Sequence, residues 1–281
     1  MKELLFDIEH LNCKYNKGST VLYIQNLKIF KGELVFILGT SGIGKSTFIE
    51  TLGLMNNTIS KTENTTISFY PKGNESKIQL ENSWNLADEK ISNFRNQYFS
   101  FIFQNTNLMP NFTAGENMCI SQLIQGSSLA QAKKEVKEVM KELMLDEEIF
   151  EKKIMELSGG QRQRLAFVRA IIANYVVLFG DEPTGNLDKY TAQKLLNILK
   201  NNLKKFNRTG IIVSHDIELA LQYADRIILL NSNDTKYYGE ILPQNILIKS
   251  ENGWKELDGK SIEQPLAKIE KVLGFHLSLL N

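Results

Sequence analysis

The sequence predicts an α/β fold, a parallel sheet covered by helices on both faces. Three observations lead there. Residues 34–39 (LVFILG) and 176–181 (VVLFGD) are continuous apolar runs, the pattern of strands buried on both sides. The first ends in glycine and runs into a stretch of helical character, STFIETLGLM. Beyond Leu157, apolar strands alternate with helices: VVLFGD, a helix over about 189–206, the strand in TGIIVSH, the helix IELALQYA and the strand RIILL.

The other elements follow in order. LLFDIEHL and VLYIQNLKIF alternate as strands do, and Lys31-Gly32 is a turn. A helix is expected from near Gly44. Residues 56–85 are rich in Asn, Thr, Ser and Lys. Within them, TISFY and KIQL flank the turn Pro71-Lys72-Gly73-Asn74, which predicts a small antiparallel arm with a polar loop. YFSFIFQ (98–104) is the next strand. Thr113-Ala114-Gly115-Glu116 fits a capping box. Leu129, Ala132, Val136, Val139, Met140 and Leu143 recur at helical spacing and predict a core-facing stripe. Near the end, Gly253, Gly259 and Pro265 punctuate the chain before a helix over about 264–273 closed by Gly274.

Composition narrows the function. The chain has 281 residues, room for one large domain or two small ones, and is 42% apolar, enough for a sizeable core. With 33 basic and 32 acidic residues the net charge is +1, so nucleic acid is not an expected partner. Cys13 and Cys119 have no metal-ligand spacing and read as reduced thiols. Asn-x-Ser/Thr triplets at Asn64 and Asn111 are expected by chance in so Asn-rich a chain. No segment approaches the roughly 20 apolar residues of a membrane span, and the N-terminus lacks a signal-peptide layout. The chain is therefore expected to be soluble by itself, with any membrane role coming through a partner.

The chemistry is concentrated in a few motifs. Gly39-Thr40-Ser41-Gly42-Ile43-Gly44-Lys45-Ser46 fits the P-loop pattern, after a buried strand and at a helix start. Its glycines let backbone N–H groups point at phosphate oxygens, and the helix adds its positive end. Lys45 supplies a cation for the outer phosphates, and Ser46 an oxygen for Mg²⁺. Val177-Leu178-Phe179-Gly180-Asp181-Glu182 reads as an apolar strand ending in two acids. Asp181 is placed to reach the Mg²⁺ shell, and Glu182 to polarise an attacking water as general base.

Leu157-Ser158-Gly159-Gly160-Gln161 stands just before that strand. Here the sequence resembles the ABC ATPase family, whose signature is LSGGQ. The resemblance implies a P-loop NTPase of the ABC cassette type, with a mixed sheet core, an antiparallel β arm and a helical subdomain. It also implies that two cassettes pair head to tail, each signature facing the other's P-loop with ATP between. Four more positions are similar to family ones. Gln104 ends a strand as the Q-loop glutamine does, Asp188 matches the D-loop, His215 the switch histidine at the γ-phosphate, and Tyr15 the aromatic that stacks on adenine. The implied catalytic set is Glu182, His215 and Gln104. The nucleotide set is Tyr15, Gly39 to Gly44, Lys45, Ser46 and Thr47 with Ser158, Gly159, Gly160, Gln161 and Asp188. The Mg²⁺ set is Ser46, Gln104 and Asp181. His10 and His276 are assigned nothing.

The resemblance implies a cassette over 1–240, with a polar insertion at 58–85 and a helical subdomain at 113–157, then an extension over 241–281. Two departures stand out: that extension, and the 58 residues between Lys45 and Gln104, a longer gap than the family leads one to expect. DEPTGNLD (181–188) and FIFQNTNLMPNFTAGENM (101–118) are similar to the subgroup of lipoprotein-releasing, macrolide-exporting and cell-division ATPases. That implies an ATPase at the cytoplasmic face of a membrane, held there by a permease, paired as a homodimer, and serving export, lipoprotein release or mechanical transmission. A small-solute importer subunit is the rival within the family. A soluble ABC ATPase acting on DNA or ribosomes is the rival outside transport, though those proteins usually carry two cassettes or a long coiled coil.

Overall fold

The computed structural model describes residues 2–16, 18–73, 75–233 and 238–274. Asn74 of the expected turn and His276 lie outside the described residues. In chain order the strands are β1 (Leu4–Lys14), β2 (Thr20–Phe30), β3 (Leu34–Leu38), β4 (Thr66–Phe69), β5 (Ile78–Gln79), β6 (Phe99–Ile102), β7 (Val177–Asp181), β8 (Thr209–Ser214), β9 (Arg226–Leu229), β10 (Asn231–Asn233), β11 (Tyr238–Ile241), β12 (Ile246–Ser250), β13 (Gly253–Glu256) and β14 (Ser261–Ile262). The helices are α1 (Lys45–Leu52), α2 (Asp88–Tyr98), α3 (Ala114–Ile124), α4 (Leu129–Glu142), α5 (Gly159–Ile171), α6 (Lys189–Phe206), α7 (Ile217–Tyr223) and α8 (Pro265–Leu273). Two compact units result, Met1–Ile91 with Ile211–Asn281, and Ser92–Gly210.

The first unit contains two sheets. One has the order β10-β11-β2-β1-β4-β5. β1 buries Phe6, Ile8, Leu11 and Cys13, and the alternation slips by one at Glu9-His10, where His10 takes a φ of 48°. β4 and β5 are the alternating pieces of the polar stretch. β4 pairs antiparallel with β1 and β5 antiparallel with β4, so this arm belongs to the sheet. β11 joins the other edge parallel to β2, which makes the sheet mixed. The second sheet runs β14-β13-β12-β9-β3 and then β8. β3 is buried throughout and parallel to β9, while β12 is antiparallel to β9. A mixed sheet, as the resemblance implies, replaces the wholly parallel one expected from the apolar runs alone.

A buried ion pair ties β3 to β9. Arg226 Nε and Nη2 donate to Glu33 Oε2 and Oε1 at 2.9 and 3.2 Å, and Leu34 N donates to Asp225 Oδ2 at 2.9 Å. Removing one member of such a pair strands the other charge and costs about 3–5 kcal/mol. Beyond β11 the sequence predicts only a helix. The structure adds β12, β13 and β14, which are too short and too irregular to show a period of two. The expected helix is α8: it buries Ile269 and Leu273 against α7 and β9, and Gly274 closes it at φ 71°.

In the second unit β6 and β7 pair in parallel, with Phe179 stacked 5.2 Å from Phe101 and edge-on to Phe99 at 5.3 Å. The capping box forms as expected. Glu116 N donates to Thr113 Oγ1 at 3.2 Å, and Thr113 N to Glu116 Oε2 at 2.7 Å. The α4 stripe holds at Ala132, Val136, Met140 and Leu143, which are buried. Leu129 departs from it: at 52% exposed, it lines an open groove of about 330 Å³ with Phe112, Cys119 and Phe150. It sits on the first turn of α4, at one end of the stripe. α6 buries Ala192, Leu195, Leu196, Leu199 and Leu203, each leucine contributing about 1.5–3 kcal/mol of burial.

Candidate functional site

The P-loop lies in the first unit, between β3 and α1. Gly42 (φ 76°) and Gly44 (φ 100°) take left-handed backbone that glycine enters without a steric penalty. Gly39 is fixed by space as well, since a Cβ there would meet Leu230 O at 2.9 Å. Gly44 is the N-cap of α1. It brings no side chain to the helix end, and the first turn holds no acid. An anion is thus the natural partner for those N–H groups. Lys45 Nζ folds back to Gly39 O at 2.8 Å and Thr40 O at 2.9 Å, within its own loop. Thr40, Ser41 and Gly42 are exposed, while Ile43 and Ser46 are half-buried. Tyr15, 47% exposed, is bonded through its hydroxyl to Thr47 Oγ1 at 2.9 Å, so an open aromatic face stands beside the loop. His215 is exposed just after β8. Gly239 of β11 presses on the loop so closely that a Cβ would lie 2.1 Å from Ile43 O.

The second unit carries the acids. β7 delivers Asp181, and Glu182 follows at φ 49°, a left-handed conformation costing on the order of 1–3 kcal/mol for a residue with a side chain. Gly185 N donates to Glu182 O at 3.2 Å within the turn, and Gln163 Nε2 on α5 adds a bond to the same oxygen from outside it at 2.9 Å. Ser158 caps α5, accepting from Gln161 N at 3.2 Å, while Ser158 N donates to Gln161 Oε1 at 2.8 Å. The signature serine and glutamine therefore also build a helix start. Gly160 lies beside the D-loop, where an added Cβ would be 3.7 Å from Asn186 O. Asp188 caps α6. Its carboxylate accepts from the Thr191 hydroxyl at 2.7 Å and from Thr191 N at 3.0 Å, and these bonds lower its pKa, the hydroxyl first.

Gln104 is exposed after β6. The loop it begins contains two more left-handed residues with side chains, Thr106 (φ 53°) and Asn107 (φ 45°). Arg169 on α5 holds both, Nη2 donating to Thr106 O at 2.7 Å and Nη1 to Asn107 O at 2.8 Å. Burial lowers its pKa from the guanidinium value, yet arginine stays charged. Buried Asn117 grips the loop's far end, exchanging bonds with Met109 N at 2.7 Å and Met109 O at 3.0 Å. The motifs do not point to Gln163, Arg169 or Asn117. For Gln163 the signal was present: with Ala166, Phe167 and Ala170 it occupies the helical face that periodicity assigns to the core.

The P-loop and Tyr15 together fit a nucleotide, through anion-binding N–H groups, a cation and an aromatic face. Among the described residues no three His, Cys, Asp or Glu cluster to hold a metal unaided. A hydroxyl at Ser46, an amide oxygen at Gln104 and a carboxylate at Asp181 are hard oxygen donors of the kind Mg²⁺ takes alongside phosphate and water.

The likeness to known proteins agrees with these features. The ABC transporter family model matches residues 23–185. The chain is 35% identical over 205 residues to the lipoprotein-releasing system ATP-binding protein LolD of Cytophaga hutchinsonii, taking in 73% of this chain and 87% of that protein. It is 34% identical over 276 residues to the macrolide export ATP-binding/permease protein MacB of Bartonella quintana, across 96% of this chain but 38% of that longer one. Its fold matches the dimeric structure of MJ0796, a bacterial ABC transporter cassette, with a TM-score of 0.70 and 27% identity over 91% of this chain and 100% of that one. A post-hydrolysis dimer of the same cassette, bound to ADP and Pi, matches equally well. These are relatives of the subgroup that DEPTGNLD indicates, and they do not favour the importer reading. The chain belongs to the ABC transporter family, as an ATP-binding and ATP-hydrolysing cassette.

Proposed function

We propose that the chain drives a membrane complex of the lipoprotein-releasing or macrolide-export kind, lying peripherally at the cytoplasmic face through a permease and pairing with a second copy of itself. One observation carries this reading: the 35% identity to a lipoprotein-releasing ATPase across 87% of that protein's length. Among the described residues no helix is long and apolar enough to cross a membrane. In this reading residues 1–240 are the cassette, with a polar insertion at 58–85 and a helical subdomain at 113–157, and 241–281 extend it.

The roles follow from chemistry. Gly39 to Thr47 cradle the phosphates, with Lys45 on the outer ones, and Tyr15 stacks on the base. Ser158, Gly159, Gly160 and Gln161 offer the start of α5 to the nucleotide of the partner cassette. Asp188 acts in the D-loop alongside them. Ser46, Gln104 and Asp181 would hold Mg²⁺, which neutralises phosphate charge when bound. Glu182 takes the proton of the attacking water, or orients it, for in-line displacement at the γ-phosphate. His215, Lys45 and the signature stabilise the charge that develops. Nucleotide bridging the two cassettes draws them together, and hydrolysis releases them.

The test is capture of tagged Glu182→Gln protein from detergent-solubilised membranes in the presence of ATP, read by mass spectrometry. The expected result is recovery of a permease with few spans and a large outer domain. A many-span permease would move the function to solute transport. Ribosomal or DNA-associated proteins without any membrane subunit would end the transport reading.

A further inference from the structure

We propose that Gln163 is a positioning residue for hydrolysis, holding the peptide of Glu182 so that its carboxylate is aimed at water. The proposal rests on reading Glu182 as the general base. Three observations support it. Glu182 adopts a φ of 49°, a region that favours glycine, so something beyond its own backbone preference must fix it there. The side chain that reaches its carbonyl is Gln163, 1% exposed, with Nε2 donating at 2.9 Å. The other end of the same amide, Oε1, is buried and has no hydrogen-bond partner.

The third observation gives the inference its weight. Gln163 shares its helical face with Ala166, Phe167 and Ala170, all buried. A methionine or leucine would fill this site without leaving a buried acceptor unsatisfied, and would suit stability better. What glutamine supplies instead is one donated hydrogen bond, spent on a left-handed peptide one residue past β7. The orientation of the amide is settled by the same bond, because a flipped amide would set Oε1 against Glu182 O. The geometry also links two motifs. Ser158 caps the helix on which Gln163 stands, so a shift of α5 when nucleotide meets the signature is carried to Glu182 through a side chain five residues along.

The test is single-turnover and steady-state ATP hydrolysis by the full chain, with nucleotide binding and thermal melting measured on the same samples. Gln163→Met should lower kcat roughly 10- to 100-fold, the usual scale for misplacing a catalytic group, with KM for ATP and the melting temperature unchanged or the latter raised. In the Glu182→Gln background the same substitution should cost nothing further, since it acts only through that carboxylate. Wild-type kcat in Gln163→Met, or an equal fold-loss in both backgrounds, would overturn the proposal. If Gln163→Met does not fold, Gln163→Glu, which keeps the length but opposes the Glu182 carbonyl with a carboxylate, decides by the same two readings. Glu182→Gln by itself separates the two levels. Wild-type turnover in that variant would remove the general-base reading, whereas its loss beside an unaffected Gln163→Met would remove this inference alone.

Discussion

In the P-loop the backbone enters the left-handed region at Gly42 and Gly44, where no Cβ opposes it. In the loops that follow β6 and β7 it does so at Thr106, Asn107 and Glu182, all of which carry side chains. The glycine loop holds its shape by local means, with Lys45 closing on Gly39 O and Thr40 O. The other two turns are held by α5, Gln163 reaching one and Arg169 the other. The P-loop thus keeps its conformation wherever its strand and helix are formed. The loops after β6 and β7 have local backbone bonds as well, Thr106 N to Phe103 O at 3.0 Å and Gly185 N to Glu182 O at 3.2 Å, but each also depends on a side chain from α5. That suits the signature helix to passing a change of state to the residues around the reaction.

Substitutions can break or sharpen this contrast. The largest effect belongs to the glycine loop's own cation: Lys45→Ala should abolish ATP hydrolysis and weaken nucleotide binding, read by phosphate release and by equilibrium titration. Glu182→Gln comes next, with turnover down on the order of 10²- to 10⁴-fold and ATP binding retained. Arg169→Met removes two charge-assisted bonds and should lower stability by about 2 kcal/mol in a denaturant melt, with turnover falling because Gln104 begins the loop it grips. Gly44→Ala puts a Cβ at φ 100° and 3.3 Å from Val21 O, and should cost about 1–2 kcal/mol with a matching loss of nucleotide affinity. The smallest change is expected at Thr106→Gly. Relief of backbone strain and the greater freedom of the unfolded chain nearly cancel, leaving a shift within about 0.5 kcal/mol. A large loss there would mean that the threonine side chain, rather than Arg169, holds the turn.

The same contrast decides what could be read in advance. Gly39, Gly42, Gly44, Lys45 and the Asp181-Glu182 pair are legible because their chemistry is local: spacing along the chain is spacing in space. The α6 helix is legible from its leucine period, and α8 from the Pro265 and Gly274 that bracket it. Gln163 and Arg169 act on carbonyls 19 and 63 residues away, and no short window contains both partners. α2 lies in a polar segment whose only buried residue is Ile91, so its apolar period is faint. β12 is added to the sheet on β9, β13 on β12 and β14 on β13, an edge-extension that strands of two to five residues cannot announce by alternation.

The buried bond between Glu33 and Arg226 joins residues 193 positions apart, and β3 takes β9 as its parallel neighbour across the same span. As the chain leaves the ribosome, the strand that carries the phosphate loop is made early but waits for most of the protein before that neighbour exists. The continuous stretch Ser92–Gly210 can condense in the meantime. Closing a loop of that length is entropically slow and leaves apolar β3 open to wrong pairings while it waits. Assembly of the nucleotide-holding unit is therefore a late event in biosynthesis, and a truncation between α1 and Arg226 should yield a chain with an intact P-loop sequence and no stable unit to hold it.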